Sequence, residues 1–338
     1  MSKVRWAVVG CGRITMNRML PAIAAAENAE LTVTMSRSEE SAQAAAEQFG
    51  AKAFYTDWDR FMQDDSFDVA FLGTPNYLHH PHTVALAKAG KHVLCDKPMA
   101  MNVAQCEQMI AACEAAGVKL MVAQMSRFNR YNQYAEKLMR DHLMSEIAYV
   151  RSDFAFWMKD DDDWRLIPEQ SGGGALMDIG VYCIHHLKRM VGERIVSVQA
   201  HCTPTDAGKV DRTTLVILEF ANGVPGMLIA SFDVALGSSY TVAGPEGILS
   251  VVGSFNQNGS GDLLWQGQIP VMAPTMHEVD PYTMEVEHFS ACIMNDARPA
   301  VDPRDSLDDV RVMMAIYESA KTGRKVKIRD EGLGMRDE

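Results

Sequence analysis

The sequence predicts an α/β chain in two parts, an N-terminal parallel sheet covered by helices followed by an α+β part whose strands are mostly antiparallel. Over the first 124 residues, short apolar runs alternate with helical patterns, as in strand and helix units whose sheet is buried on both faces. From about Glu146 the strand-like stretches lengthen and acquire turn signals. The length agrees, since 338 residues make about two domains at roughly 100–200 residues each.

The elements follow in order. Residues 4–9 form the first strand, and a Gly-rich turn leads into a helix over about 13–26. A second strand runs near 31–35. Ser38 is placed to cap the next helix, with Glu39 and Glu40 in its first turn opposing the helix dipole and Gly50 at its end. Residues 68–72 read as a strand, 81–89 as a helix closed by Gly90, and 92–95 as a strand. The helix over 103–116 opens on Asn102 with Gln105 three residues on and stops at Gly117, and 118–122 completes the set. In the second part, strands are expected at 195–201, 213–220, 224–232 and 248–252, with Asn222-Gly223 as a hairpin turn. Helices are expected at 174–191, 283–295 and 306–322, the last capped by Asp305.

Composition excludes several classes. A hydrophobic content of 47% and a charged content of 22% suit an ordinary folded protein. The net charge of −12 repels phosphate backbones and anionic lipid, so neither nucleic acid nor a membrane is an expected partner. No apolar run approaches the roughly 18 residues of a spanning helix, and the first residues lack the order of a signal peptide, so a cytoplasmic location is expected. Seven scattered cysteines without a Cys-x-x-Cys indicate reduced, packed thiols rather than a disulfide or zinc framework, and the 23 methionines read as core filling. The run Asp160 to Asp163 is expected to be a solvated loop or a lid, not a metal site; no metal is expected anywhere.

The chemistry begins at Gly10-Cys11-Gly12-Arg13-Ile14-Thr15, between the first strand and the first helix. There, two glycines let the backbone approach a pyrophosphate at a helix N-terminus. Thr15 stands where a third Gly or Ala is usual. The second strand ends in Ser36-Arg37 without the acid that would bind a ribose 2′-hydroxyl, so the sequence leans to NADP over NAD. Three further segments stand at strand ends, where ligands bind in open α/β sheets: Gly73-Thr74-Pro75-Asn76 with His79, Cys95-Asp96-Lys97-Pro98, and 124–128. Lys97, with a carboxylate beside it and Pro98 behind it, is a candidate catalytic group or a structural partner of Asp96.

Glycines 10 and 12, Thr74-Pro75-Asn76 with His79, the run Gly90 to Pro98, Arg127-Phe128 and Gly172-Gly173-Gly174 through Gly180 resemble, over nearly the whole chain, the glucose-fructose oxidoreductase / inositol dehydrogenase (Gfo/Idh/MocA) family. The resemblance implies a Rossmann domain over 1–124. It also implies a substrate-binding and oligomerisation domain over 125–338, with a large, mostly antiparallel open sheet that pairs two copies in a homodimer or homotetramer. It implies hydride transfer between NAD(P) and a sugar, polyol or related alcohol, with Lys97 catalytic or substrate-orienting. Asp96 replaces the commoner Glu. Where many inositol dehydrogenase-like members carry Asp-x-x-x-His, this chain has Asp178 and Tyr182, which resembles the glucose-fructose oxidoreductase, D-xylose dehydrogenase and dihydrodiol dehydrogenase branch, in which Lys and Tyr share the acid/base work. Spacing of four puts Asp178 and Tyr182 on one helix face.

Lys97, Tyr182 and Asp178 are therefore the expected catalytic set. Gly10, Gly12, Arg13, Ile14, Ser36, Arg37, Thr74, Pro75, Asn76, His79, Asp96 and Lys97 are expected at the cofactor, and Arg127, Phe128, Trp164, Arg165, His185 and His186 at the substrate. Trp157, Asp233 and Tyr240 are further candidates for the substrate wall. The alternatives are an oxidoreductase that keeps its cofactor tightly bound and a non-catalytic sensor of the same fold.

Overall fold

A computed structural model describes residues 3–159, 163–204, 208–268, 271 and 279–328. The first sheet has six strands: β1 (Val4–Val9), β2 (Ala29–Met35), β3 (Ala53–Tyr55), β4 (Val69–Leu72), β5 (His92–Asp96) and β6 (Leu120–Ala123). Their spatial order is β3-β2-β1-β4-β5-β6, all parallel, the doubly wound order whose direction reverses between β1 and β4. Trp6, Val8, Val33, Val69, Phe71 and Leu94 are fully buried or nearly so, as near-continuous apolar strands require when helices cover both faces.

Local signals place most of the helices. Ser38 accepts the Ser41 amide at 3.2 Å to start Glu39–Phe49, and Gly50 ends it with a φ of 77°. Asn102 accepts the Gln105 amide at 3.0 Å to start Val103–Ala116. The helix after β1 is wide for one turn, Thr15–Met19 bonding in π fashion before Leu20–Ala25 continues as α-helix. Leu176–Gly180 does the same ahead of Val181–Val191.

The second sheet is built from β7 (Tyr149–Ala155), β8 (Ile195–Thr203), β9 (Thr213–Phe220), β10 (Pro225–Ser231), β11 (Gly237–Gly244), β12 (Gly247–Val252), β13 (Asp262–Gly267) and β14 (Val326–Lys327), in the order β13-β12-β11-β7-β10-β9-β8-β14. Every pairing is antiparallel except β7 with β10. The Asn222-Gly223 turn joins β9 to β10, with Gly223 at a φ of 86°. One face of this sheet packs on Val181–Val191 and Pro303–Thr322, while the other leaves Leu215, Ile217, Met227, Val252 and Leu264 exposed.

Helix Pro281–Met294 returns from the second part to the first sheet. Trp6 Nε1 donates to Ser290 Oγ at 3.0 Å, and Asn28 Nδ2 donates to the Glu287 carbonyl at 2.9 Å.

Several expectations need correction. The last helix is Pro303–Thr322, capped by Asp302, which accepts the Arg304 amide at 2.8 Å; Asp305 lies inside its first turn. Proline at the first helical position gives up no needed donor, which fixes the start there. The helix expected from Pro81 begins at His79, behind the short 3₁₀ turn Asn76–Leu78. A helix over Arg130–Arg140, capped by Asn129, and strands β3, β7, β11, β13 and β14 were not anticipated. Of the acidic run, Asp160, Asp161 and Asp162 lie outside the described residues. Asp163 caps the 3₁₀ turn Trp164–Leu166.

Candidate active site

The site lies where the C-terminal ends of the first sheet meet the helix that starts at Leu176. Gly10 has a φ of 92°, and a Cβ there would stand 2.5 Å from the Gly73 carbonyl oxygen, so the turn after β1 is pressed against the end of β4. A Cβ on Gly73 would in turn run into the Thr15 hydroxyl. The missing side chain at 73 thus makes room for Thr15, the residue that departs from the expected small one. A Cβ on Gly12 would meet nothing within 4 Å, leaving open backbone at the start of a helix, as a pyrophosphate needs.

Other strand ends complete the crevice. The Ser36 amide donates to the Tyr55 carbonyl at 3.1 Å, and Arg37 is exposed beside it. The Thr74 hydroxyl is buried without a partner, a polar atom that a ligand in the crevice would satisfy. Asn76 points elsewhere: its Nδ2 donates to the Ser171 carbonyl at 2.7 Å, tying the two parts of the chain together. Pro75 opens the 3₁₀ turn. His79 is fully buried beneath these loops, its two ring nitrogens each 2.9 Å from a carbonyl oxygen, those of Pro98 and Thr74.

A cleft of about 210 Å³ opens beside them, lined by Arg13, Ile14, Asp96, Lys97, Arg165, Asp178 and Tyr182 among others. Lys97 Nζ donates to the Asp178 carbonyl at 2.6 Å and to Asp178 Oδ1 at 2.9 Å. Asp96 meets Lys97 through the backbone, accepting its amide at 2.8 Å, so the partner of the ammonium is Asp178. Arg165 Nε approaches Asp178 Oδ1 at 3.3 Å and its guanidinium also pairs with Asp163 at 3.2 Å. Lys97 Nζ stands 5.2 Å over the Tyr182 ring.

Electrostatics separate the three acids. Burial alone would raise the Asp178 carboxyl, but Lys97 and Arg165 hold it down at about 2. Burial raises Asp96 despite the opposing pull of Lys97 and His79. Burial also pushes the Tyr182 phenol well above its ordinary range, with Tyr282, Asp96 and Asp178 adding to the effect. A neutral phenol therefore sits beside an ammonium and a fixed carboxylate, a set able to hold and move one proton next to an alcohol.

The structure brings together Lys97, Asp178, Tyr182, Arg165, Asp96, Arg13 and Ile14. Other candidates are not brought to this cleft. His185, one residue past the first turn beyond Tyr182, is buried with Nδ1 2.9 Å from Asp309 Oδ2, and His186 Nε2 is 2.9 Å from Ser126 Oγ. Arg127 pairs with Glu136 at 2.7 Å, and Phe128 packs on His288. Asp233 pairs with Arg212 at 2.7 Å, Tyr240 is buried against His186, and Trp157 is exposed outside the lining. Trp164 touches the site indirectly, the Arg165 guanidinium lying 4.7 Å over its ring.

Sequence reasoning missed an aromatic wall. Phe154, Phe156, Phe255 and Tyr282 line the cleft with Gln257 and Met125. Tyr182 is stacked on Phe255 at 5.4 Å and meets Phe154 edge-on at 5.8 Å. The signal available was the alternation Phe154-Ala155-Phe156, which puts both aromatics on one face of the chain at the end of β7.

Comparison with known proteins agrees with this geometry. The Gfo/Idh/MocA oxidoreductase family with an NAD-binding Rossmann fold matches residues 4–124, and the Gfo/Idh/MocA C-terminal domain matches residues 132–250. The chain is 32% identical over 324 residues to D-xylose 1-dehydrogenase (NADP(+)) 2 of Haloferax volcanii, covering 95% of this chain and 98% of that one. It is 26% identical over 330 residues to trans-1,2-dihydrobenzene-1,2-diol dehydrogenase of Xenopus laevis, covering 94% and 96%. The crystal structure of aldose-aldose oxidoreductase from Caulobacter crescentus superposes with a TM-score of 0.90 at 34% identity over 96% of this chain and 99% of that one. The chain belongs to the Gfo/Idh/MocA family of NAD(P)-dependent oxidoreductases.

Proposed function

We propose that this member of the Gfo/Idh/MocA family oxidises or reduces a sugar or polyol carbon with NADP as its preferred nicotinamide cofactor. The observation that carries the reading is the meeting of Lys97, Asp178 and Tyr182 in one cleft beside the Gly10 and Gly12 turn. Relatives named D-xylose 1-dehydrogenase (NADP(+)) and aldose-aldose oxidoreductase support the substrate class.

Gly10, Gly12, Arg13, Ile14, Thr74, Pro75 and Asp96 would hold the cofactor. Arg37 and Ser36, at a strand end without an acid, would face a 2′-phosphate. When bound, the nicotinamide supplies the carbon that takes or gives the hydride. Tyr182 exchanges the proton of the reacting hydroxyl, and the Lys97 ammonium stabilises negative charge growing on that oxygen. Asp178, kept ionised by two cations, fixes the Lys97 side chain and accepts from a neighbouring substrate hydroxyl. The aromatic wall takes the C–H face of the ring. In this reading residues 1–124 serve the cofactor and 125–338 the substrate, and the exposed face of the second sheet pairs two copies of the chain. Among the described residues no helix is long and apolar enough to cross a membrane.

The test is absorbance at 340 nm with NADP or NAD and a panel of aldoses, inositols and polyols, then with the reduced cofactors and ketosugars. Turnover with NADP and one sugar is expected. Tyr182→Phe should lower kcat by roughly 10²–10⁴ while cofactor affinity stays unchanged. Near-normal turnover in both Tyr182→Phe and Lys97→Met would overturn the assignment.

A further inference from the structure

His79 makes an arrangement that a neutral histidine cannot satisfy. Its ring is fully buried at the start of helix His79–Lys88. Nδ1 is 2.9 Å from the Pro98 carbonyl oxygen and Nε2 is 2.9 Å from the Thr74 carbonyl oxygen. Carbonyls only accept, and a neutral imidazole carries one N–H, so one contact would set a nitrogen lone pair against an oxygen lone pair. The doubly protonated ring donates to both.

The charges around the ring come from three elements. Burial is the largest influence and lowers the ring's pKa from the ordinary histidine value, with Lys97 acting the same way; Asp96, at the end of β5, and the two carbonyls raise it. His82, three residues along the same helix, is held at about 4 by burial and by His79, and so is neutral at pH 7. The net of these influences lowers the value, and against it stand the two carbonyl contacts, which a neutral ring cannot both satisfy. Burying a cation is costly chiefly when its donors lack partners, and here both N–H groups have one and a carboxyl group is close by.

We infer that His79 is an imidazolium, a buried cation that ties the loop after β4 to the turn after β5 and disfavours positive charge in the crevice those loops frame. Oxidised nicotinamide is positively charged and reduced nicotinamide is neutral. A fixed cation under the crevice therefore weakens the oxidised form relative to the reduced one and favours hydride transfer from the substrate. His79 is thus a positioning residue that acts through Thr74 and Pro98, without itself reaching the cleft. The effect on the two cofactor forms rests on the function proposed above; the charge of the ring does not.

The full-length protein, labelled with ¹⁵N-histidine and free of cofactor, is examined by long-range ¹H–¹⁵N NMR from pH 6 to 8. One of its ten histidines is expected to keep both ring nitrogens protonated at pH 8, and that signal should be absent in His79→Asn. If no histidine is doubly protonated at pH 8, the proposal is overturned, and this arm needs only the wild-type protein. The second arm measures the dissociation constants of NADP⁺ and NADPH by calorimetry. In His79→Asn or His79→Gln the ratio should move at least three-fold toward the oxidised form, and an unchanged ratio in a folded variant overturns the bias. A wild-type protein that binds neither nicotinamide form would refute the proposed function and leave the NMR result standing.

Discussion

Replacing Lys97 with Met should destabilise the protein most at neutral pH, and by less as the solution becomes acidic. The argument rests on Asp178, whose carboxyl is held at about 2 against 3.8 for a free aspartate by Lys97 at 2.9 Å and Arg165 at 3.3 Å, in spite of burial. At about 1.36 kcal/mol per pH unit, that difference amounts to roughly 2 kcal/mol of stability. Because the folded-state value is depressed, the contribution is complete above the unfolded value near 4 and is lost as the pH falls toward 2. With Met at 97 only Arg165 opposes burial, so the carboxyl rises, its contribution at neutral pH shrinks, and the gap to the parent closes as falling pH protonates Asp178 in both proteins. Urea unfolding at pH 7 and pH 4.5 should show Lys97→Met less stable than the parent by roughly 2 kcal/mol at pH 7, since one partner of a buried pair has gone. Asp178→Asn in the Lys97→Met background removes the carboxylate left behind and should recover part of that loss. Additive effects in this double-mutant cycle, with parent and Lys97→Met sharing one acid limb, would refute the reasoning.

Two further predictions test the surroundings. Gly73→Ala would drive a methyl into the Thr15 hydroxyl and the Phe71 ring and should cost roughly 1–3 kcal/mol, part of it restored by Thr15→Ala; thermal unfolding checks this, and an unperturbed Gly73→Ala would mean that the turn after β1 is not pressed on β4. Ile217 and Met227 are directly opposite one another on the exposed sheet face, so if two copies pair there as proposed, changing both to Lys should leave single chains by light scattering without loss of helix signal, and a mass unchanged from the parent would refute that pairing.

Much of the fold could be read from local chemistry. The helices Glu39–Phe49 and Val103–Ala116 carry their stop and start residues in sequence, and the buried strands of the first sheet are plain apolar runs. Arg130–Arg140 carried a cue that was passed over: Tyr131, Ala135, Leu138 and Met139 recur at helical spacing and pack on the core behind the Asn129 cap, with Asn132 and Glu136 buried beside them. The two-residue β14 and the edge strand β13, exposed at Asp262, Leu264 and Gln266, carry little pattern. For the last helix the cue was present: Asp302-Pro303 is the cap and first turn, and Asp305 merely shares the acid.

The candidate site divides in the same way. Lys97 stands out from its strand end, whereas Asp178 and Tyr182 were reached through the family resemblance, with the spacing of four placing them on one helix face. Arg127, His185 and His186 look the same in sequence whether they face a substrate or a buried partner. His185 meets Asp309 across 124 residues of chain, and only the folded arrangement shows it. The aromatic wall likewise draws on β7 and on the segment around Phe255, which are distant in sequence and adjacent only through β11 and β12.

The wide turns at Thr15–Met19 and Leu176–Gly180 hold one residue more than an α-helix would in the same span. Deleting a single residue within 176–180 would let the helix close as ordinary α-helix over the same span, so that Val181–Val191 keeps its place while the turn that carries Asp178 is rebuilt. Tyr182 would stay in the cleft while Asp178, inside the rebuilt turn, shifted against Lys97, with Lys97 and Tyr182 unchanged in sequence. In aligned relatives, a one-residue gap at the second wide turn is therefore a change in how Asp178 is presented to Lys97, even where Lys97, Asp178 and Tyr182 all align.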